Sequence, residues 1–366
     1  MPDRLDRIRA WMESEGATAA YVSDPVSIGY LSGFSSEPHE RLLALVVRER
    51  AAVLIVPGLE QESAAGAAHG VEVHAWQDGS DPWREVSAAL AGTVKAAGRL
   101  AVEKSHLPLA AWERLQTIAG ADATPLDLAP TIRAMRARKT PDELALLERA
   151  AGITDQVTLH ALAMAEPGRS ELEISTEIGL LVAQAGARLS FESIVGSGPN
   201  TALPHLRPGA RKLRVGDLVM VDCGAALEGY KADITRTVVL GEPDQRQLEV
   251  FDAVLEAHDA AASTVRAGVT AGEVDEAARG VIRAAGLGDF FIHRTGHGLG
   301  LEAHEDPSLD PGSATVLEAG MVVTVEPGVY IPGWGGVRIE DDLVVEERGS
   351  RSLTRAERRL KPLPAG

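Results

Sequence analysis

The chain has 366 residues and a mass of 38.6 kDa, room for about two domains of roughly 100 to 200 residues, and its 45% hydrophobic and 24% charged content excludes a disordered or fibrous chain. Lys plus Arg is 36 against 53 for Asp plus Glu, a net charge of −17, which repels phosphate backbones and anionic lipid and excludes nucleic acid and membrane surfaces as expected partners. A single cysteine, Cys223, cannot close an internal disulfide, the N-terminal residues carry charges every few positions, and no run nears the about 18 apolar residues that span a bilayer, so the expected location is the cytoplasm.

In chain order, Leu5, Ile8, Trp11 and Met12 recur at helical spacing. Ala19–Val22, Leu42–Val47 and Ala51–Val56 read as strands, the last stopped by Pro57-Gly58. Val71–Trp76 and Arg99–Val102 read as further strands, separated by a helix over Trp83–Ala97, which makes this region an α/β domain. Near Leu126–Lys139 the pattern breaks into Pro125, Pro130 and a basic run, so the domain boundary is placed there. Thr140-Pro141-Asp142-Glu143 then has the form of a capping box with proline at the first helical position, predicting a helix to about Glu166.

The remainder contains a repeat. Gly168-x-Ser170-x-x-Glu173 and Gly268-x-Thr270-x-x-Glu273 are helix starts one hundred residues apart, and each helix stops near a glycine, Gly186 or Gly286. Leu213-x-x-Gly216 leading to Asp222-Cys-Gly224 matches Leu317-x-x-Gly320 leading to Glu326-Pro-Gly328 at an offset of 104. A second strand follows each, from Asp233 to Leu240 in one copy and from Glu340 in the other, so both read helix, helix, strand, turn, strand.

In this alignment Asp222 corresponds to Glu326 and Asp233 to Glu340, one carboxylate per hairpin strand. Copies packed about a pseudo-twofold axis would bring the four together, and like charges at that range cannot all stay ionised unless cations lie among them. Each acid alone would pass for a solvated hairpin residue, yet Asp222 and Glu326 end the apolar runs Leu218–Val221 and Val322–Val325, where a strand is being buried. The second hairpin follows His293, His297 and His304, three histidines within twelve residues. The glycines flanking His297 permit close backbone approach, and lack the strand-then-helix context of a phosphate loop. Four carboxylates and an imidazole suit a hard to borderline ion such as Mn²⁺, Co²⁺ or Zn²⁺, and two ions about 3.5 to 4 Å apart would support hydrolysis. Strand alternation places Thr235 beside Asp233 and Arg338 beside Glu340, while Cys223 points away from Asp222 as a packing residue. Arg338 either balances the acidic cluster or receives a substrate carboxylate.

Asp222 and Asp233 within DCGAALEGYKADITRT, then HRTGHGLGLEAHE, TVEPGVY and GVRIED, resemble the proline-specific peptidases of the pita-bread metallopeptidase family, the prolidases and aminopeptidases P. The resemblance covers the chain from about Thr140, and the N-terminal region resembles the creatinase-type domain of the same enzymes. It implies an α/β creatinase-like domain (1–128), a linker (129–139) and an α+β pita-bread domain (140–366) with internal pseudo-twofold duplication. It further implies two divalent metal ions, Mn²⁺ foremost with Co²⁺ or Zn²⁺ as alternatives, held by Asp222, Asp233, His297, Glu326 and Glu340, with Asp233 and Glu340 bridging. Glu326, His205 and His304 match catalytic positions, and His293, Tyr330 and Arg338 match substrate-side positions. Ala303 departs from the usual valine or isoleucine, a change of pocket shape that leaves the ligands intact.

The implied activity is hydrolysis of the Xaa-Pro bond in proline-containing peptides by a homodimer. The length and the histidine context favour an Xaa-Pro dipeptidase, with an Xaa-Pro aminopeptidase acting on longer peptides as the alternative. A metal-free creatinase, a methionine aminopeptidase and a non-catalytic binding relative fit less well, because the ligand set is complete and the N-terminal domain large.

Overall fold

The structure, a computed structural model, describes residues 4–92, 98–360 and 362–363. It divides into two compact units, Met1–Arg136 and Ala137–Gly366. In the first, α1 (Arg4–Glu15), β1 (Ala17–Val22), α2 (Pro25–Ser32), β2 (Ala44–Val47), β3 (Ala52–Pro57), α3 (Gln61–Ala67), β4 (Glu72–Trp76), α4 (Trp83–Leu90), β5 (Arg99–Val102), α5 (Leu109–Ala119), β6 (Thr124–Asp127) and α6 (Ala129–Ala137) follow one another. The six strands form one mixed sheet in the order β4-β3-β2-β1-β5-β6. Its core gathers Ala19, Tyr21, Val46, Val53, Ile55, Leu100 and Val102 with Val86, Leu90 and Leu115 from helices. The α/β expectation holds for this unit. The predicted helix over Trp83–Ala97 is seen over Trp83–Leu90, and residues 93–97 lie outside the described ones.

Residues 129–139, expected as a linker, are mostly helix α6. Leu128, Ile132 and Met135 recur at helical spacing and are buried, and the Met135 carbonyl accepts a hydrogen bond from Tyr30 Oη at 3.1 Å. Pro130 lies in the first turn, where its missing N–H costs nothing, so proline there starts a helix instead of breaking one.

The second unit runs α7 (Pro141–Ala163), α8 (Glu171–Gln184), β7 (Arg188–Leu189), β8 (Ile194–Ser197), β9 (Leu218–Cys223), β10 (Ala225–Leu227), β11 (Tyr230–Lys231), β12 (Ile234–Leu240), α9 (Gln245–Thr264) and α10 (Ala271–Ala284). It continues with β13 (His297–Gly298), β14 (Glu305–Ser308), β15 (Val322–Val325), β16 (Gly328–Ile331), β17 (Gly335–Arg338), β18 (Asp341–Glu346), β19 (Gly349–Ser352) and β20 (Pro362–Leu363). The predicted capping box at Thr140 forms, and the helix starts at Ser170 and Thr270 are capping boxes as well, with each hydroxyl accepting from the amide three residues on. Helix α7 ends at Ala163, three residues before the expected Glu166.

The repeat is structural. One sheet runs β20-β12-β9-β8 and the other β14-β13-β15-β18-β19. Val219, Val221 and Cys223 of β9 and Ile234 and Val238 of β12 pack with Ala161 of α7 and Ile174, Ile178 and Val182 of α8. Val323 and Val325 of β15 and Leu343 and Val345 of β18 pack with Phe251 and Val254 of α9 and Val274, Ala278 and Ile282 of α10. Gly186 and Gly286 both have φ 74°, a left-handed conformation that suits glycine after a helix. Because side chains alternate along a strand, the helices that bury Val221 and Cys223 leave Asp222 on the opposite face.

Candidate metal centre and cavity

The four carboxylates converge. Asp222 is the fifth residue of β9, Glu326 follows the last residue of β15, and Asp233 and Glu340 each immediately precede a strand, β12 and β18. The hairpins are stitched together where these residues lie. The Glu340 amide donates to the Thr235 carbonyl (3.1 Å), the Arg338 amide to Thr237 Oγ1 (3.2 Å), and the Asp233 amide to Asp342 Oδ2 (2.9 Å). One ligand atom each of Asp233, His297 and Glu340 lies within 4.8 Å of the others, and all three residues are buried.

Each acid carries a different electrostatic load. Asp222 accepts a hydrogen bond from Arg338 Nη2 through Oδ2, while its Oδ1 is buried without a hydrogen-bond partner, as is Asp233 Oδ1. Glu340 accepts from Thr235 Oγ1 at 2.6 Å. Burial, followed by the neighbouring carboxylates, holds Asp233 and Glu340 well above the usual carboxylate range, and burial raises Asp222 against the opposing charge of Arg338. Burial would also raise Glu326, but the hydrogen bond and charge of His297, 3.2 Å away, with His293 and Arg338, bring it down to about 2. Two unpartnered buried carboxylate oxygens facing further acids form a donor set that divalent cations fit.

His297 projects from a backbone that only glycine neighbours permit, since a Cβ on Gly296 would collide with the Thr324 carbonyl and one on Gly298 with the Asp306 carbonyl. Its Nδ1–H donates to the Gly298 carbonyl oxygen (3.0 Å), leaving Nε2 towards the carboxylates. The His304 ring lies edge-on at 4.3 Å from that of His297, and desolvation with the nearby imidazole lowers His304 to about 4. A cavity of about 990 Å³ includes Asp222, Asp233, His297, Glu326 and Glu340 in its lining, with His205, His293, His304 and Arg338 around them. Leu203, Leu206, Phe191, Ile194, Ile292 and Ala303 add an apolar wall.

Tyr330 reaches the group through its hydroxyl, which lies 2.9 Å from His293 Nε2 and accepts from Arg338 Nη1 at 2.7 Å. Arg338 and Glu340 both line the cavity as expected, although not as neighbours on one strand. Strand β17 ends at Arg338 and pairs with β16, whereas β18 begins at Asp341 and pairs with β15, so Glu340 lies between strands of two sheets. Thr235 joins the two instead, accepting from Arg338 Nε (3.0 Å) and donating to Glu340. With Nη1 also 3.4 Å from the Pro204 carbonyl and Nη2 on Asp222, one of the five guanidinium hydrogens is left over. Cys223 packs in the core as expected, its Sγ 3.3 Å from Thr158 Oγ1.

Residues that sequence reasoning missed support the site from behind. Asp342 accepts the Asp233 amide, and Asp341 pairs with Arg236 (2.7 Å) and with His258 Nε2 (3.1 Å). The triplet Glu340-Asp341-Asp342 was a visible signal, since three acids opening a buried strand need partners. Asp275 accepts from the amide (3.2 Å) and hydroxyl (2.8 Å) of Thr295, and Arg279 donates to the His293 carbonyl at 2.8 Å, fixing the segment between the two histidines. In sequence this pair reads only as an i,i+4 helix ion pair.

Among the described residues no helix is long and apolar enough to cross a membrane. Comparison with known proteins agrees with this architecture. The chain is 35% identical over 363 residues to the Xaa-Pro dipeptidase of Lactobacillus helveticus, covering 98% of this chain and 99% of that one. Its structure is similar to the prolidase of Pyrococcus horikoshii OT3, with a TM-score of 0.91, 35% identity and coverage of 98% and 99%. It is also similar to the X-Pro aminopeptidase of Thermotoga maritima MSB8, with a TM-score of 0.88, 30% identity and coverage of 99% and 100%. Residues 4–138 match the Creatinase/Prolidase N-terminal domain and residues 145–347 match metallopeptidase family M24, to which the chain therefore belongs.

Proposed function

We propose that this metallopeptidase hydrolyses the Xaa-Pro bond of dipeptides, as an Xaa-Pro dipeptidase. The observation that carries the reading is the buried group Asp233, His297 and Glu340 in the wall of a cavity that opens between histidines and an apolar surface. Asp222, Asp233, His297, Glu326 and Glu340 would hold two divalent ions, Mn²⁺ foremost with Co²⁺ or Zn²⁺ as alternatives. Such ions supply Lewis acidity and a nucleophile drawn from water at neutral pH.

The chain's own residues do the rest. Glu326, whose carboxylate lies 3.2 Å from His297 on the cavity wall, takes up the proton lost by the attacking water and passes it to the leaving proline nitrogen. His205 and His304 flank the cavity where negative charge develops on the carbonyl oxygen, and the low pKa of His304 makes it a neutral hydrogen-bond donor. His293, Tyr330 and Arg338 form a connected polar wall, and Arg338 on the cavity would receive the carboxylate of proline. The rigid proline ring, which lacks an N–H, suits a pocket that needs no donor from the substrate there. A cytoplasmic homodimer is the state in which we expect it to act.

The test compares kcat/KM for an Xaa-Pro dipeptide with that for the matching Xaa-Pro-Yaa tripeptide at saturating Mn²⁺. A clear preference for the dipeptide is expected. Preference for the tripeptide would make the chain an aminopeptidase, the activity named for the Thermotoga neighbour.

A further inference from the structure

His205 is exposed and its imidazole makes no hydrogen bond to the described residues, so its place in the cavity is set by its backbone alone. That backbone belongs to residues 198–209, the first part of the segment between β8 and β9, which contain a short 3-10 turn over Gly198–Ala202 and then Leu203 to Leu206 on the cavity. A loop of this length without a fixed backbone would spread its histidine over many positions.

One buried side chain binds both ends of it. Glu171, the first residue of α8, is 1% exposed and does not line the cavity. Its Oε1 accepts from the Ser197 amide (2.9 Å), Ser197 Oγ (2.7 Å) and Asn200 Nδ2 (2.9 Å), at the entry to the loop. Its Oε2 accepts from Asn200 Nδ2 (3.2 Å) and from the Gly209 amide (3.3 Å), at the exit. The helix start adds two backbone bonds, from the Glu171 amide to the Arg211 carbonyl (3.2 Å) and from the Leu172 amide to the Gly209 carbonyl (3.0 Å). On the opposite side the Gly336 amide donates to Thr201 Oγ1 at 2.7 Å, and Arg338 Nη1 reaches the Pro204 carbonyl at 3.4 Å. The segment is therefore gripped at its two ends by Glu171 and in the middle by β17.

We propose that Glu171 is a positioning residue for His205, setting the catalytic contribution of that imidazole from outside the cavity. A buried carboxylate that satisfies four donors is a rigid clamp, and Gln in its place would turn one acceptor into a donor facing Asn200 and Gly209. The proposal rests on the oxyanion role given to His205 above, and its test separates the two. Full-length protein is assayed with saturating Mn²⁺ on an Xaa-Pro dipeptide as E171Q, N200A, H205A, E171Q/H205A and E171Q/N200D, with metal content and amide hydrogen exchange over residues 198–210 measured for each.

E171Q is expected to speed exchange in that segment and to lower kcat roughly 10- to 100-fold, the scale of a misplacement of about 1 Å, with KM and metal content near wild type. In the H205A background the same substitution should cost less than about threefold, because coupled residues do not add. E171Q/N200D should recover part of kcat, since the new carboxylate accepts from the new amide. Should E171Q fail to fold, N200A, which removes a single donor, takes its place in the cycle. Unchanged exchange over 198–210, or equal losses from E171Q with and without His205, would overturn the proposal. Wild-type kcat in H205A would instead refute the oxyanion role of His205, and the exchange measurement would still decide whether Glu171 holds the loop.

Discussion

Removing the divalent ions should leave a protein whose stability falls as the pH rises. Asp233 and Glu340 are held well above their ordinary values by burial and by one another, so in the metal-free folded state the cluster keeps protons that the unfolded chain has released. A group with a raised folded pKa destabilises progressively as the pH climbs above its unfolded value, until the folded pKa is passed. For each proton retained the slope is about 1.4 kcal/mol per pH unit. For a unit of this size that slope is a fall in Tm of roughly 3 to 6 °C per pH unit for each proton retained. The assay is thermal unfolding of EDTA-treated protein against pH, with D233N/E340Q as the control. Neutral amides cannot titrate, so the slope should flatten in that variant, which should also lose nearly all activity and part of its bound metal. With Mn²⁺ present the trend should reverse, because metal displaces those protons and binds more tightly as the pH rises. His293 and His304, both lowered by burial, add an opposing rise near their ordinary value in either protein, so the difference decides: a metal-free wild-type slope no more negative than that of D233N/E340Q would refute the reasoning.

Replacing His205 or His304 by alanine should lower kcat by about 10² to 10⁴-fold with metal stoichiometry intact; loss of bound metal would make that histidine a ligand. Arg338→Ala should reduce kcat/KM for an Xaa-Pro dipeptide more than for its C-terminal amide, by roughly 10- to 100-fold, the value of a charge-assisted bond to a carboxylate. Equal losses on both, accompanied by weaker metal binding, would assign Arg338 to balancing Asp222 alone.

The duplicated architecture was legible because hydrophobic alternation, caps and glycine stops recur at nearly constant offset, and those are local signals. Asp222 is the clearest instance, since the apolar residues either side of it could only face the helices. What stayed hidden depends on contacts distant in sequence. Arg338 and Glu340 do face one cavity, but the contact that joins them runs through Thr235, more than one hundred residues earlier, where the chain crosses between sheets. Pro130 misled for a different reason, because the same residue marks a break or a first turn depending on what is buried behind it.

The carboxylates are contributed two by each copy of the repeat, and the imidazole Nε2 by the second copy only. Neither copy on its own holds a full donor set, so affinity for cations is a property of the docked pair. Ions held by the proposed set would thus act as a cross-link between residues as far apart as Asp222 and Glu340, closing a loop far larger than any hairpin. Chelators should accordingly loosen the seam between the two copies before they unfold either helix layer, and mutations that damage one copy's packing should be felt as a loss of affinity in the other.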